Sequence, residues 1–301
     1  MIPEHLKRFQ EPIPVLDHGY IMLVDVMGDD DSVVQAARVS YAKGTKKTND
    51  DRSLLRYLMR SRHTSPFEQA RIKLEVKLPI FVERQWVRHR MASLNEVSAR
   101  YSVLPEEFYI PDSEVVRAQS TSNKQGRDGH LPEDDVVAYQ TELRRSCSEA
   151  YRAYERALES GVARELARCV LPVNIYTAKV WSSDLHNLFH FLSLRMDPHA
   201  QLEIRSYANA IAEVVKEWVP WCWEAFEDYR LNGMYLTRFE VEGLRSVLQV
   251  LAEQVPDWSF DRVVEEVLRG SGLPLPKEGK KASREVTELQ AKVSRLLGGP
   301  A

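Results

Sequence analysis

Apolar and charged residues alternate strictly at positions 71–78, where the chain reads RIKLEVKL. An extended chain turns successive side chains to opposite faces, so this segment would bury one face and expose the other to water. The pattern predicts a β-strand. Residues 19–28 (GYIMLVDVMG) form an apolar, β-branched run between two glycines and predict a second strand, and residues 174–181 predict a third.

Helical spacing of apolar residues predicts several helices around these strands. Ser32 is expected to cap a helix that runs to residue 42, and residues 63–68 (HTSPFE) have the form of a helix start with a serine–glutamate capping box. The Ser-, Gly-, Asn- and Asp-rich residues 117–135 predict an exposed loop. Further helices are predicted at residues 50–62, 79–89, 136–160, 162–171, 184–195, 197–218 and 220–233.

These elements place the chain in the α+β class, with a mixed β-sheet flanked by helices. All of the predicted strands lie in residues 1–236, which we interpret as one domain. Residues 237–301 contain two or three amphipathic helices and a linker at 271–281 (SGLPLPKEGKK). We interpret them as a helical C-terminal extension of unknown role, suited to packing or assembly.

The composition, with 44% hydrophobic and 28% charged residues, is typical of a soluble globular protein with a substantial core. No run approaches the roughly 18 apolar residues of a membrane span. The N-terminal residues lack the apolar region of a signal peptide. The sequence therefore predicts a cytoplasmic protein with no membrane partner.

The charge is unevenly distributed, although the formal net charge is only −3. Residues 52–100 hold nine Arg and two Lys against four Glu, which is a local charge of +7. Such a region attracts anions, of which a nucleotide and a nucleic acid are two kinds. No RNP, KH or zinc-finger pattern accompanies the basic residues, so no nucleic-acid partner is predicted.

Cysteine and histidine spacing predicts neither disulfides nor a metal site. Cys147, Cys169 and Cys222 are far apart and form no CxxC pair, so we interpret all three as reduced core thiols. His186 and His190 lie four residues apart on a predicted helix, which is a spacing that can bind zinc. Asparagine stands where the HExxH motif has its glutamate, so no metal is predicted.

Residues 88–101, written RHRMASLNEVSARY, combine many polar groups with little periodicity. They contain three arginines, one histidine, one glutamate, one asparagine and two serines between a predicted helix and an extended segment. The planar guanidinium suits phosphates and carboxylates, so the segment is a candidate site for an anionic ligand. A solvated charged loop is the alternative.

The segment resembles the RHRxxSxNExSxRY motif of flavin-dependent thymidylate synthases. The resemblance extends to residues 63–68, 78–86 (LPIFVERQW), 168–177 (RCVLPVNIYT) and 195–205 (RMDPHAQLEIR), and covers roughly residues 17–233. Every fixed position of the motif is met, by Arg88, His89, Arg90, Ser93, Asn95, Glu96, Ser98, Arg100 and Tyr101.

The resemblance implies that residues 1–236 are a catalytic domain for the reductive methylation of dUMP to dTMP. In that family 5,10-methylenetetrahydrofolate donates the one-carbon unit, FAD reduced by NADPH supplies the hydride, and tetrahydrofolate leaves. A cofactor that carries the difficult chemistry leaves positioning and charge stabilisation to the protein, which suits a site rich in arginine. A homotetramer with active sites at subunit interfaces is also implied.

The resemblance also assigns roles to individual residues. Arg195 is the implied catalytic residue, whose guanidinium stabilises negative charge as uracil N3 ionises and so activates C5 as a nucleophile. The implied dUMP contacts are Gln85, Arg88, Glu96, Ser98, Ala99, Arg100, Arg168 and Arg195. The implied FAD contacts are Ser65, Glu68, Arg88, His89, Arg90, Asn95, Glu96, Asp184, His186 and His190.

Side chains would have to hold the FAD pyrophosphate, because the GxGxxG and GxxxxGK patterns are absent. Arg88, His89 and Arg90 are the best available donors. Two positions depart from common family choices. Asp184 stands where many members have Asn. Ala99 stands where many have Gly, and alanine suits this position only if the backbone there avoids positive φ.

Other functions stay open on the residues alone. Ser98 could be a nucleophile, but a serine needs a general base, and the nearby His89 is assigned to the flavin. Cys169 could attack a uracil ring in a cysteine-dependent methyltransferase, although it lacks a Pro-Cys-His context. The chain could also be a binding protein for RNA or nucleotides without chemistry.

Overall fold

The structure, a computed structural model, describes residues 2–39, 51–121, 124–254, 260–271, 273 and 283–296. Contacts between Cα atoms divide the chain into two units, residues 1–231 and residues 232–301. The described strands all lie in the first unit. The roles that the sequence assigns to residues 1–236 and 237–301 stay predictions.

The strands form a five-stranded sheet and a separate two-stranded pair. In chain order they are β1 (Ile13–Val15), β2 (Gly19–Met27), β3 (Arg71–Pro79), β4 (Ser93–Glu96), β5 (Ala118–Gln119), β6 (Arg127–Asp128) and β7 (Tyr176–Asp184). The large sheet has the order β1-β2-β3-β7-β4 and every neighbouring pair is antiparallel. The α+β class is confirmed, but the sheet is not mixed. The strands β3 and β4 do run in the same direction, yet β7 lies between them.

The strand predicted from the alternation at residues 71–78 is confirmed as β3. Ile72, Leu74, Val76 and Leu78 are each at most 1% exposed, while the charged residues between them face outward to varying degrees. The predicted strand at residues 19–28 is also confirmed as β2. The third predicted strand is shifted by two to three residues, a common error at element ends.

Helices pack against this sheet and complete the first unit. Among the described residues, no helix combines the length and apolar character that crossing a membrane requires. The end of the helix predicted to reach residue 42 lies outside the described residues. In chain order the helices are α1 (Asp30–Val39), α2 (Asp51–Arg60), α3 (Ile80–Trp86), α4 (Glu133–Glu159), α5 (Arg164–Ala167), α6 (Leu185–Arg195), α7 (Leu202–Trp218) and α8 (Pro220–Phe226).

Two helix starts are set by aspartate side chains. The Asp29 carboxylate accepts from the Ser32 amide at 2.9 Å, and the Ser32 hydroxyl oxygen accepts from the Asp29 amide at 3.2 Å. Asp29 therefore occupies the capping position that the sequence analysis gave to Ser32, because its carboxylate reaches the free amides of the first turn. Asp184 caps α6 by accepting from the Asn187 amide at 2.9 Å, so the predicted start at residue 184 is confirmed.

The helix start predicted at residues 63–68 is wrong. Pro66 leads into a single 3₁₀ turn, Phe67–Gln69, without a side-chain cap. The turn is closed by a backbone bond from the Phe67 amide to the Thr64 carbonyl at 3.0 Å. Strand β3 begins at Arg71, which leaves no room for a longer helix.

The exposed loop predicted at residues 117–135 is only partly correct. It contains the β5–β6 pair and the beginning of α4. Arg127 in β6 donates from Nη2 to both carboxylate oxygens of Glu203 at 2.8 Å. Glu203 is 2% exposed, so this bond fastens the segment to a buried charge in α7.

An aromatic cluster fills the space between the sheet and helices α3, α6 and α7. Trp86 is central to it, with ring centroids 4.7 Å from Phe191, 5.4 Å from Trp181 and 6.1 Å from Tyr207. Each of these four side chains is at most 1% exposed. Because α3 and α6 both pack on this cluster, the residues at their C-terminal ends are brought close together.

The described part of the second unit is helical. Its helices are α9 (Arg238–Gln254), α10 (Phe260–Gly270) and α11 (Arg284–Leu296). Leu268, Val286 and Val293 form a small buried cluster. This agrees with the amphipathic patterns of the sequence. Most of the predicted linker at 271–281 lies outside the described residues.

Candidate active site

A cavity of about 470 Å³, called the main cavity below, opens beside the loop of residues 87–92. This loop joins α3 to β4 and is called the 87–92 loop. Helix α6 and strand β7 form the other walls. The sequence analysis singled out five of the lining residues. The lining residues are Arg88, His89, Arg90, Met91, Ala92, Trp181, Ser183, Asn187, His190, Leu194 and Arg195.

Arg195 and His89 form the best-defined contact in this cavity. The Arg195 Nε donates to His89 Nε2 at 3.0 Å, and its Nη2 donates to the Gln85 carbonyl at 3.3 Å. The His89 ring packs edge-on to Phe191, with centroids 4.9 Å apart. The last residue of α6 is thereby tied to the end of α3, across 106 residues of sequence.

The His89 imidazole is neutral at physiological pH. Burial and, to a smaller extent, the neighbouring Arg195 and His190 together lower its pKa from 6.5 to about 4. The bond from Arg195 uses Nε2 as an acceptor, so the ring proton belongs on Nδ1. His89 can therefore accept from Arg195 and donate to a ligand at the same time.

Arg195 provides a fixed positive charge in the cavity wall. Burial lowers its pKa, but an arginine side chain stays protonated in proteins. A guanidinium carries five N–H donors, so its two protein bonds leave others that can face a ligand. The arrangement can stabilise negative charge that develops on a bound ring.

A second cavity, of about 140 Å³, contains other residues that the resemblance assigns to dUMP. The Thr177 hydroxyl donates to Glu96 Oε1 at 2.8 Å and fixes that carboxylate. Ala99 is 7% exposed and is absent from the described residues with positive φ, so alanine is compatible with this position. The lining residues are Ile80, Glu96, Val97, Ala99, Leu104, Arg168, Leu171, Pro172, Val173, Ile175 and Thr177.

Glu165 contacts Arg100 and Arg168, two further predicted dUMP residues, next to this second cavity. Its carboxylate lies 3.5 Å from Arg100 Nε, and its carbonyl accepts from Arg168 Nε at 3.4 Å. The Ser98 hydroxyl oxygen accepts from the Arg100 amide at 3.3 Å. The predicted nucleotide residues of one chain therefore lie in two places, around Arg195 and around Glu165.

The predicted flavin residues are also spread over several surfaces. His190 lines both the main cavity and a cavity of about 170 Å³ that contains His63 and His186. Ser65 and Glu68 lie on the exposed turn before β3. Asn95 is exposed in β4.

Asp184 has a structural role that explains an acidic residue there. Its carboxylate accepts from both the amide and the side chain of Asn187 at 2.9 to 3.0 Å. It also lies 3.9 Å from Arg71 Nη1. The charge at this position is thus engaged by the N-terminus of α6 and by an arginine.

Sequence reasoning missed Gln201, which positions a predicted dUMP residue. The Gln85 side chain donates to Gln201 Oε1, and Gln201 Nε2 donates to Glu203 Oε2 at 2.8 Å. The sequence signal that could have found Gln201 was its position inside residues 195–205, a segment that resembles the family. Trp181, Ser183 and Asn187 line the main cavity and were likewise missed, because they lie on elements that look purely structural in sequence.

The cysteines differ from their predicted state in one case. Cys147 and Cys222 are free and buried, as predicted, whereas Cys169 is free and exposed. Cys169 lies on the 3₁₀ turn Arg168–Val170, none of whose residues is buried, so the prediction of a core thiol is wrong there. Among the described residues, no group of three or more His, Cys, Asp or Glu could hold a metal ion.

The exposed Cys169 makes the cysteine-dependent alternative directly testable. If the chain has the activity that the resemblance implies, we expect Cys169→Ala to leave the rate of thymidylate formation unchanged, because among the described residues the thiol has the Glu165 carbonyl as its hydrogen-bond partner, at 3.8 Å. Initial rates of the purified variant and the wild-type protein measure this. Loss of turnover with the flavin still bound would instead favour a cysteine nucleophile.

Comparison with known proteins identifies the family. The model of a family described as thymidylate synthase complementing protein matches residues 22–221, more than half of the chain. A flavin-dependent thymidylate synthase from Thermus thermophilus is 58% identical over 236 residues, which cover 78% of this chain and 86% of the relative. The chain belongs to the flavin-dependent thymidylate synthase family.

Other proteins are similar to this chain over most of their length. The flavin-dependent thymidylate synthase of Gluconobacter oxydans is 56% identical over 229 residues, which cover 75% of this chain and 76% of that protein. The crystal structure of a UMP/dUMP methylase, PolB from Streptomyces cacaoi bound with 5-Br dUMP, aligns with a TM-score of 0.66 and 36% identity. The alignment covers 74% of this chain and all of PolB.

Family membership confirms the resemblance that residues 88–101 carried. This chain is therefore an enzyme, a flavin-dependent methyltransferase of thymidylate synthesis. The alternative of a binding protein without chemistry is therefore the weaker interpretation. The first unit contains the whole of the matched region, residues 22–221.

Proposed function

We propose that the enzyme converts dUMP to dTMP by reductive methylation. In the balanced reaction, dUMP, 5,10-methylenetetrahydrofolate, NADPH and a proton give dTMP, tetrahydrofolate and NADP⁺. The observation that supports this best is the Arg195–His89 pair, held in the wall of a cavity with two further arginines. A similar solved structure, a UMP/dUMP methylase bound with 5-Br dUMP, supports a uracil nucleotide as the substrate.

FAD is the proposed flavin, and the residues of the main cavity fit it. Arg88, Arg90 and the Nδ1 of His89 provide donors for its pyrophosphate, and Trp181 adds an aromatic wall. When bound, FAD supplies the hydride that completes the methyl group, after NADPH has reduced it. The other proposed contacts are Ser65, Glu68, Asn95, Glu96, Asp184, His186 and His190.

Arg195 is proposed to act on the uracil ring. Its half-buried guanidinium, kept in place by His89 and the Gln85 carbonyl, stabilises negative charge when N3 loses its proton. That charge makes C5 a carbon nucleophile towards the one-carbon unit. The other proposed dUMP contacts are Gln85, Arg88, Glu96, Ser98, Ala99, Arg100 and Arg168.

Assembly into a homotetramer is proposed to complete each site. The predicted dUMP residues of one chain line two different cavities, which supports a site that a second chain completes. Apolar side chains near both cavities support an interface, since Met91 is 70% exposed and Tyr101 is 75% exposed. We also propose a cytoplasmic location, where free cysteines such as Cys169 stay reduced.

Thymidylate formation with and without FAD tests the proposed reaction. We expect the purified protein to be yellow, to bleach when NADPH is added without oxygen, and to form dTMP only when flavin, folate donor and NADPH are all present. Chromatography of the folate products should show tetrahydrofolate. Formation of dihydrofolate, or turnover that is independent of flavin, would contradict the proposal.

A further inference from the structure

A buried lysine lies beneath the active site without a role in the chemistry described so far. Lys179 in β7 is 2% exposed, and its ammonium contacts the carboxylate of Glu83 in α3, which is 3% exposed. The ammonium also lies 3.9 Å from the centre of a Trp86 ring. A lysine is almost never fully buried unless it is paired, so these contacts account for its presence in the core.

The partners of Lys179 lie on both sides of the 87–92 loop. Glu83 precedes the loop by one helical turn of α3. Glu96 follows the loop and faces Lys179 across the β4–β7 pair. The register pairs these two residues directly, so their side chains lie on the same face of the sheet, and the negative charge of Glu96 favours the charged ammonium by raising the pKa of Lys179. One positive charge therefore attracts the segment before the loop and the segment after it.

The residues next to the 87–92 loop make hydrogen bonds that position active-site groups. The His89 amide donates to the Trp86 carbonyl at 3.0 Å, so the last turn of α3 sets the position of the imidazole. The Gln85 carbonyl in the same turn accepts from Arg195. At the other end, β4 is an edge strand of four exposed residues, and among the described strands it pairs only with β7. Because the four residues of β4 are exposed, burial contributes little to holding this strand, and an electrostatic attachment has more effect there.

We propose that Lys179 is a positioning residue that anchors both ends of the 87–92 loop and so sets the geometry of the flavin site. Stability alone is a weak explanation, because replacing a buried ion pair by well-packed apolar residues is often neutral or stabilising. The site around Trp86 is already apolar and aromatic. The inference rests on the proposed function, since it takes FAD as the ligand of the loop.

The pH dependence separates an anchor from a merely structural pair. The charged groups that act on Lys179 are Glu83 from α3 and Glu96 from β4, beside the Trp86 ring and the apolar Val76 from β3. Arg84 acts on Glu83 and lowers the pKa of that carboxyl. Burial lowers the pKa of Lys179 from 10.5 to about 8. Between these values the unfolded chain binds a proton that the folded chain lacks, so the contribution of Lys179 to the free energy of unfolding rises with pH.

The affinity for FAD should change in the opposite direction over the same range. The anchor requires the charged ammonium, so the complex should weaken as pH rises through about 8. A pair that acts only on stability would leave the FAD affinity of the folded protein constant over this range. A fall in affinity while the free energy of unfolding rises therefore distinguishes the two roles.

The test is the double variant Glu83→Gln/Lys179→Met, which removes both charges without leaving one buried alone. FAD released on dilution of the holoenzyme is measured by its fluorescence from below to above pH 8, together with unfolding in denaturant. We expect the double variant to stay folded, to bind FAD at least about tenfold more weakly, as for loss of one charge-assisted hydrogen bond, and to show no further weakening above pH 8.

The matched control is Lys77→Met/Glu107→Gln, which removes another lysine–glutamate pair, with atoms 2.7 Å apart, that lies outside the site. It should retain FAD as the wild-type protein does. Wild-type affinity and pH dependence in the double variant would overturn the proposal. If the double variant does not fold, constant wild-type affinity through pH 8 overturns it equally. A wild-type protein that holds FAD but forms no thymidylate refutes only the proposed function.

Discussion

Replacement of Arg195 by alanine is expected to remove most dUMP-dependent turnover while leaving the flavin bound. The guanidinium stabilises charge only as it develops on the uracil ring, so kcat should fall by roughly 100- to 1000-fold, as when one oxyanion donor is removed. His89 loses the donor to its Nε2, but its backbone stays bonded to Trp86. Steady-state kinetics and the flavin content of the purified variant measure both parts.

The matched control for this variant is Arg205→Ala. Arg205 lies in α7 within the same resembling segment, and its Nη1 donates to the Pro198 carbonyl at 2.6 Å, away from the main cavity. It should keep its kcat. If Arg195→Ala turns over dUMP normally, or raises only KM, the proposed role in activating the ring is wrong.

Replacement of His89 by alanine is expected to weaken FAD binding by roughly 10- to 100-fold, the effect of losing a hydrogen bond to a charged group. The neutral ring accepts from Arg195 at Nε2 and has Nδ1 available as a donor to the cofactor. Its removal takes away that donor and leaves the Arg195 Nε without its acceptor. The ratio of flavin absorbance to protein after gel filtration measures the loss.

Histidine replacement elsewhere provides the comparison. His199 is exposed and pairs with Asp197 at 2.9 Å, outside the main cavity. His199→Ala should therefore retain flavin. Unchanged flavin content in His89→Ala would mean that other groups hold the pyrophosphate, with Arg88 and Arg90 as the remaining candidates.

Much of the fold could be predicted because its signals are local. The alternation at residues 71–78 corresponds to β3, and the glycine-bounded run at 19–28 corresponds to β2. Predictions were wrong where a neighbouring element prevented the structure that the local pattern favours. The turn at Phe67–Gln69 could not become a helix because β3 follows at once, and part of the polar loop became ordered because Arg127 meets a buried Glu203.

The candidate site was predicted in content but not in arrangement. The motif at residues 88–101 identified the family, and the 87–92 loop does line the main cavity together with Arg195. The sequence did not show that Arg168 and Ala99 line a different cavity in the same chain. It also did not show Gln201 or Lys179, because each matters through a partner that is distant in the chain.

By itself, the sequence determined the family, the α+β class and the chemical character of the site, since a motif and a periodicity are both properties of neighbouring residues. Only the tertiary structure decided that Arg195 meets His89, that Glu83 meets Lys179 and that the predicted nucleotide residues separate into two groups. Those pairs are 106 and 96 residues apart. Their contacts exist because α3, α6 and β7 pack on one aromatic cluster, and no local pattern records which helix will pack there.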